Sequence, residues 1–136
     1  MTSDQVIAQL RQIQVDSKEA LKKAEFTVVN NIALTAIELA PEDTAGLIGS
    51  ISVEQDDKSS SVIVAAPYSG YAEFGTGPFA KEYVATLPDE WKAEAQKFFV
   101  NGKGKGAPHP FFYPSVLQHQ DDIYTEVDKE LDKLAK

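Results

Sequence analysis

Through the first forty residues, apolar side chains return every three or four positions. Val6, Leu10, Ile13, Leu21, Ala24, Val28, Ile32 and Leu39 lie on one track, with Ser17 and Thr35 between them. That period is one face of an α-helix. Thr2 followed three residues later by Gln5 has the form of a capping box. Pro41 predicts the end, because the residue before a proline is pushed out of the helical region. Unbroken, the helix would be about 55 Å long at 1.5 Å per residue. Asp16 with Glu19 offers a second cap, which predicts a kink or break near residue 16.

After the turn chemistry of "APEDTAG" (Ala40 to Gly46) the period changes. Leu47, Ile51 and Val53 stand among polar neighbours and predict a half-buried strand over about residues 47–55. "DDKSS" (Asp56 to Ser60) supplies a hairpin turn, and "SVIVAA" (Ser61 to Ala66) its partner strand. Tyr71 to Phe74 reads as a third strand. "PDEWKAEAQKFFV" (Pro88 to Val100) reads as a short amphipathic helix, opened by Pro88 or Asp89. "NGKGKGAPHP" (Asn101 to Pro110) is too rich in glycine for regular structure and reads as a flexible linker. From about Phe111 the helical period resumes through Val116, Gln120, Ile123, Val127, Leu131 and Leu134. The expected class is α+β: a long N-terminal helix, a small antiparallel sheet of three or four strands, a short inserted helix and a C-terminal helix.

Composition narrows the function. The 136 residues fit one domain, 1–136. No apolar run approaches the length of roughly 20 residues that a membrane-spanning helix needs. Met1-Thr2-Ser3-Asp4 lacks a basic segment leading into an apolar core, so no secretory signal is expected. There are no cysteines, which excludes disulfides and thiolate metal sites. The net charge is −8, and Arg11 is the single arginine, a poor endowment for gripping phosphates.

The stretch "YSGYAEFGTG" (Tyr68 to Gly77) is the most distinctive, with three glycines among three aromatic rings. Gly70 and Gly75 have the spacing of a phosphate-binding loop, but Thr76 stands where that loop needs lysine. No Gly-x-Ser-x-Gly elbow is present, so no catalytic residue is assigned. His119 and Asp122 form an i,i+3 pair that can hold a metal, yet two ligands do not close a site. No metal or cofactor is expected. Phe98 and Phe99, then Phe111, Phe112 and Tyr113, bracket the glycine-rich stretch. Adjacent rings cannot all point inward, so some are expected to be exposed or covered by a partner.

"APEDTAGLIGSI", "YSGYAEFGTG" and "HPFFYPSVL", in that order, resemble the tail-completion or neck proteins of long-tailed bacteriophages and prophages. The resemblance runs from Ala40 to about Leu117. His109 stands where that family commonly has arginine, and residues 79–107 form a longer insertion, with a helix and a flexible loop, than compact members carry. The resemblance implies a non-enzymatic virion structural protein, made in the bacterial host cytoplasm. It implies a homo-oligomeric ring, sixfold, at the head–tail junction beside head-closure, tail-terminator or tail-tube proteins. DNA would pass through its lumen without tight binding. Tyr71, Glu73, Phe74, Gly75 and Gly77 would then form a structural bend, with Glu73 and Phe74 ending a strand. Phe98, Phe99, Lys103, Lys105, His109, Pro110, Phe111, Phe112 and Pro114 would be candidates for the interface. The rival expectation is a small cytosolic ligand-binding domain or enzyme with the bend at a pocket mouth. A third is an adaptor or antitoxin-like module.

Overall fold

A computed structural model describes residues 2–41, 45–98 and 104–135. Helix α1 (Ser3–Leu39) runs without interruption through residue 16. Its capping box forms as the sequence suggests: the Gln5 N–H donates to Thr2 Oγ1 at 3.2 Å, and the Thr2 N–H donates to Gln5 Oε1 at 2.8 Å. Asp16 accepts from the side chain of Gln12 one turn earlier instead of opening a new helix. At the other end Ala40 is extended (φ −62°, ψ 143°). That is the conformation a following proline demands.

The sheet has two strands, not three or four. A short helix, α2 (Ala45–Gly49), takes the place of the first half of the expected strand. Gly49 interrupts the alternation between Leu47 and Ile51, and Leu47 is instead buried from a helical turn closed by the Ser50 hydroxyl on its carbonyl. Strand β1 (Ile51–Gln55) then pairs antiparallel with β2 (Ser60–Val64), Val53 opposite Val62. Asp56 accepts the N–H groups of Lys58 and Ser59 and shapes the hairpin. The hairpin lies on α1, where the Ser60 N–H donates to the Glu25 carboxylate.

The expected third strand is a helix, α3 (Ser69–Phe74). Adjacent residues of a strand point to opposite faces, whereas Glu73 and Phe74 are both buried, with Gly70 one turn earlier. Helix α4 (Gly77–Val84) follows, an element the sequence pattern did not suggest, then α5 (Asp89–Ala95). The C-terminal helical period is split into α6 (Phe112–His119) and α7 (Asp122–Leu134). Helix α7 returns antiparallel along α1: His119, just before it, meets Thr35, while Lys133 and Leu134 lie beside Asp16 and Ala20.

Two apolar clusters result. Ala33 and Ala36 of α1 and Ala40 just past its end pack with Leu47, Ile51, Ala66 and Phe111. Phe74, Val84, Leu87 and Ala95 form the second cluster, flanked by Tyr83, Trp91, Phe98 and Tyr113. The ion pairs among the described residues are i,i+3 pairs within helices or at their ends. Exposed pairs of that kind contribute under about 1 kcal/mol each, so apolar burial and backbone hydrogen bonds hold the elements together. No helix among the described residues is long and apolar enough to cross a membrane.

Candidate functional site

The glycine-aromatic bend and the returning segment 104–113 are laced together over their length. Gly106 exchanges two bonds with Thr76: its carbonyl accepts the Thr76 N–H at 2.8 Å, and its N–H donates to Thr76 Oγ1 at 2.7 Å. Further along, the His109 N–H donates to the Ala72 carbonyl at 2.8 Å. The lacing ends on Glu73, whose Oε2 accepts the N–H groups of Phe111 and Phe112 at 2.8 Å and whose Oε1 accepts that of Tyr113 at 2.9 Å.

These donors lie at the start of α6, where the first N–H groups of a helix have no partner within it. Phe111, at the N-cap, supplies no side-chain oxygen, so a carboxylate from α3 serves as the cap. The negative charge also faces the positive end of the helix dipole. Glu73 is 3% exposed. Burial pushes its carboxyl above the ordinary range, against the downward pull of the three N–H bonds. Nearby Tyr83 is pushed up to about 12, by burial first and then by the charge on Glu73 and by Tyr113.

Gly75 makes the bend possible. Its φ is +77° and its ψ −169°. That region of backbone space is essentially confined to glycine. A β-carbon there would stand 2.8 Å from the Gly106 carbonyl oxygen and the Pro108 nitrogen. Gly77 also has positive φ, +60°.

Beside the lacing opens a cleft of about 500 Å³. Trp91, Phe98, Phe112 and Phe74 form its aromatic walls, and Glu90, Glu94 and Glu73 are its acids. Trp91 meets Tyr113 and Phe112 edge-on, with centroids 4.8 and 5.7 Å apart. The Phe98 ring occupies the place a side chain on Gly70 would take, and it meets Tyr71 edge-on at 5.6 Å. Glu94 is paired with Lys97 at 2.8 Å, and Glu90 is exposed.

The residues singled out from the sequence therefore divide. Tyr71, Glu73 and Phe74 lie in α3, Gly75 caps it and Gly77 opens α4, so these residues sit at a helix–glycine–helix junction instead of a strand end. Phe111 is 1% exposed and covered by its own chain, so it is not left for a neighbour. Phe98, Pro110, Phe112 and Pro114 are half-buried, and Lys105 and His109 are exposed. Phe99 and Lys103 lie outside the described residues. The described end of the glycine-rich stretch, 104–107, is tied to Thr76.

The sequence pairs His119 with Asp122 alone, yet the fold gives it a second partner. Its Nδ1 is 2.9 Å from Asp122 Oδ2, and its Nε2 is 2.7 Å from Thr35 Oγ1. The order Thr–His–Asp is that of a hydrolytic relay, but Thr35 is a half-buried residue within α1 and none of the three lines the aromatic cleft. The arrangement pins the α6–α7 corner to α1. Among the described residues no group of three or more His, Asp or Glu side chains could hold a metal ion. No protein-family model matches the chain, and no curated protein or solved structure matches it either.

Proposed function

We propose that this protein is an assembly module: a ring-forming structural component of the head–tail junction of a long-tailed phage or prophage. The observation that carries this reading is the uncovered first third of α1. Residues 2–15 are all exposed, and Leu10 and Ile13, at 60% each, extend an apolar track that is buried farther along α1 at Ala20, Ala24 and Val28. Burying one such aliphatic side chain is worth about 1.5–3 kcal/mol, so several in a row favour association. The laced bend supports the same reading, because Glu73 is engaged by backbone donors and serves to fix shape. The net charge of −8 suits a passage for DNA, since carboxylates repel phosphates. Head-closure, tail-terminator or tail-tube proteins would be the neighbours, and the virion the location.

Light scattering across a concentration series, alone and with purified neck proteins of a long-tailed phage, tests the proposal. Growth of a discrete oligomer supports it. A monomer under every condition contradicts it.

A second reading has its own observation, the aromatic cleft with a displaced carboxyl on its wall. A small-ligand-binding domain would show a rise in melting temperature with ligand concentration in a thermal-shift screen. An assembly module would show a rise with protein concentration instead.

A further inference from the structure

Two features of the chain are incomplete in opposite ways. The N-terminal overhang of α1 presents apolar side chains that no described element covers, and the aromatic cleft is a concave apolar surface that no described element fills. On the overhang, Ile7, Arg11 and Val15 form one i,i+4 row beside Leu10. Arg11 is the chain's only arginine and makes no ion pair among the described residues. The cleft carries Glu90 and Glu94 with Trp91 and Phe98, and no basic residue is among those that line it. Lys97 pairs with Glu94 from outside the lining, so Glu90 is the acid of the two without an ion pair among the described residues. An arginine between aliphatic side chains suits such a surface, since guanidinium groups both pair with carboxylates and stack on aromatic faces.

We propose that the overhang of one copy seats in the cleft of the next, with Ile7 and Leu10 against Trp91 and Phe98 and Arg11 against Glu90 and Glu94. This rests on the assembly reading above and names its contact. A chain cannot fill its own cleft in this way. Phe111, on the cleft wall, belongs to the same core cluster as Ala36. Leu10 and Ala36 lie on one continuous helix. At the rise of an α-helix, Leu10 therefore stands roughly 40 Å from that point. Nor does symmetric pairing of two overhangs suit the sequence. An antiparallel pair centred on Arg11 would set that residue against its own copy. Overhang and cleft are different patches, so the contact is head-to-tail and closes into a ring when the rotation permits.

The absence of cysteine makes the contact directly testable. Leu10→Cys and Glu94→Cys are prepared separately in the full-length protein, mixed under assembly conditions and oxidised. The mixture is expected to yield a disulfide-linked dimer that neither variant forms alone. Circular dichroism of each variant first establishes that it folds. Leu10→Cys linking to itself would mean that overhangs pair with each other, and the proposal would fall. Assembly without a link in the mixture also overturns it, while leaving the assembly reading intact. A protein that stays monomeric overturns both. In parallel, Arg11→Glu is expected to weaken self-association about tenfold or more, and Glu90→Lys with Glu94→Lys to restore it. Unchanged self-association in Arg11→Glu would contradict the role given to that charge.

Discussion

The Glu73 carboxylate accepts the backbone N–H of Phe111 at 2.8 Å, across 38 positions of sequence. Two further bonds, from Phe112 and Tyr113, complete a cap delivered to α6 by another helix. The link joins the two apolar clusters, for Phe111 belongs to one and Phe74, beside Glu73, to the other. Replacing Glu73 by alanine leaves three buried or half-buried donors unpaired, at about 1–3 kcal/mol each, so a loss of roughly 3 kcal/mol or more is expected. Glu73→Gln retains one acceptor oxygen but turns an amide N–H₂ toward a donor, and should cost less. Urea denaturation of the two variants gives the order; equal and small losses would show that the cap is dispensable.

The same residue sets a pH dependence. Burial raises the folded carboxyl of Glu73 above its ordinary 4.5. The folded state therefore binds the proton more tightly, and this contribution is complete below that value and is lost as pH rises through the folded pKa. The stability of the wild type relative to Glu73→Gln should fall between acid and neutral pH. Asp56 has the opposite sign, since the N–H groups of Lys58 and then Ser59 lower its carboxyl below 3.8. Its contribution is present above that value and is lost as pH falls through the folded pKa, so Asp56→Asn should converge on the wild type in acid. Denaturation curves at several pH values check both signs; a difference for Glu73 that grows with pH would mean the N–H bonds outweigh burial.

Gly75 and Gly49 form a contrast. A β-carbon at Gly75 would meet the backbone of Gly106 and Pro108. Gly75→Val also forces a β-branched residue into a glycine-only region, at a cost of about 2 kcal/mol or more. Nothing lies within 4 Å of a β-carbon added at Gly49, which is helical. Gly49→Ala should therefore be neutral or stabilise by up to about 1 kcal/mol. Thermal melts separate the two. Equal melting temperatures would remove the bend from the architecture.

The pin between α1 and the α6–α7 corner is testable by a double-mutant cycle. His119→Ala should cost roughly 1 kcal/mol or somewhat more, the usual worth of one hydrogen bond. Thr35→Val combined with it should add less than its single cost, because the two residues share that bond. Full additivity would show that the 2.7 Å contact contributes nothing.

Much of this architecture is written locally. The capping box at Thr2, the stop at Pro41 and the Asp56 turn each rest on residues a few positions apart, and each is legible in the sequence. Where α2 replaces half a strand and α1 runs through residue 16, the deciding contacts are local, those of Ser50 and Asp16, but two other departures turn on a long-range partner. Tyr71 to Phe74 has the aromatic content of a strand, but Glu73 must reach the start of α6 on the side where Phe74 is buried, and only a helix places both there. Phe111 belongs to the core because the lacing from Thr76 to Glu73 draws it in, and Thr35 is far from His119 in sequence. Among the candidate interface residues, Phe98 and Phe112 share one cleft with Trp91, which no motif singles out. Its place in the expected short helix is readable, but its facing rings are not.

Electron microscopy of the purified protein, beside a Leu10→Asp variant, addresses assembly most directly. A chain of 14.9 kDa is too small to see singly in negative stain, whereas a closed ring of several copies is not. The expected result is annular particles of uniform diameter for the wild type, alone or on the end of isolated phage tails, and none for Leu10→Asp at the same concentration. Fields without rings in every wild-type preparation, or rings equally abundant in the variant, would contradict it.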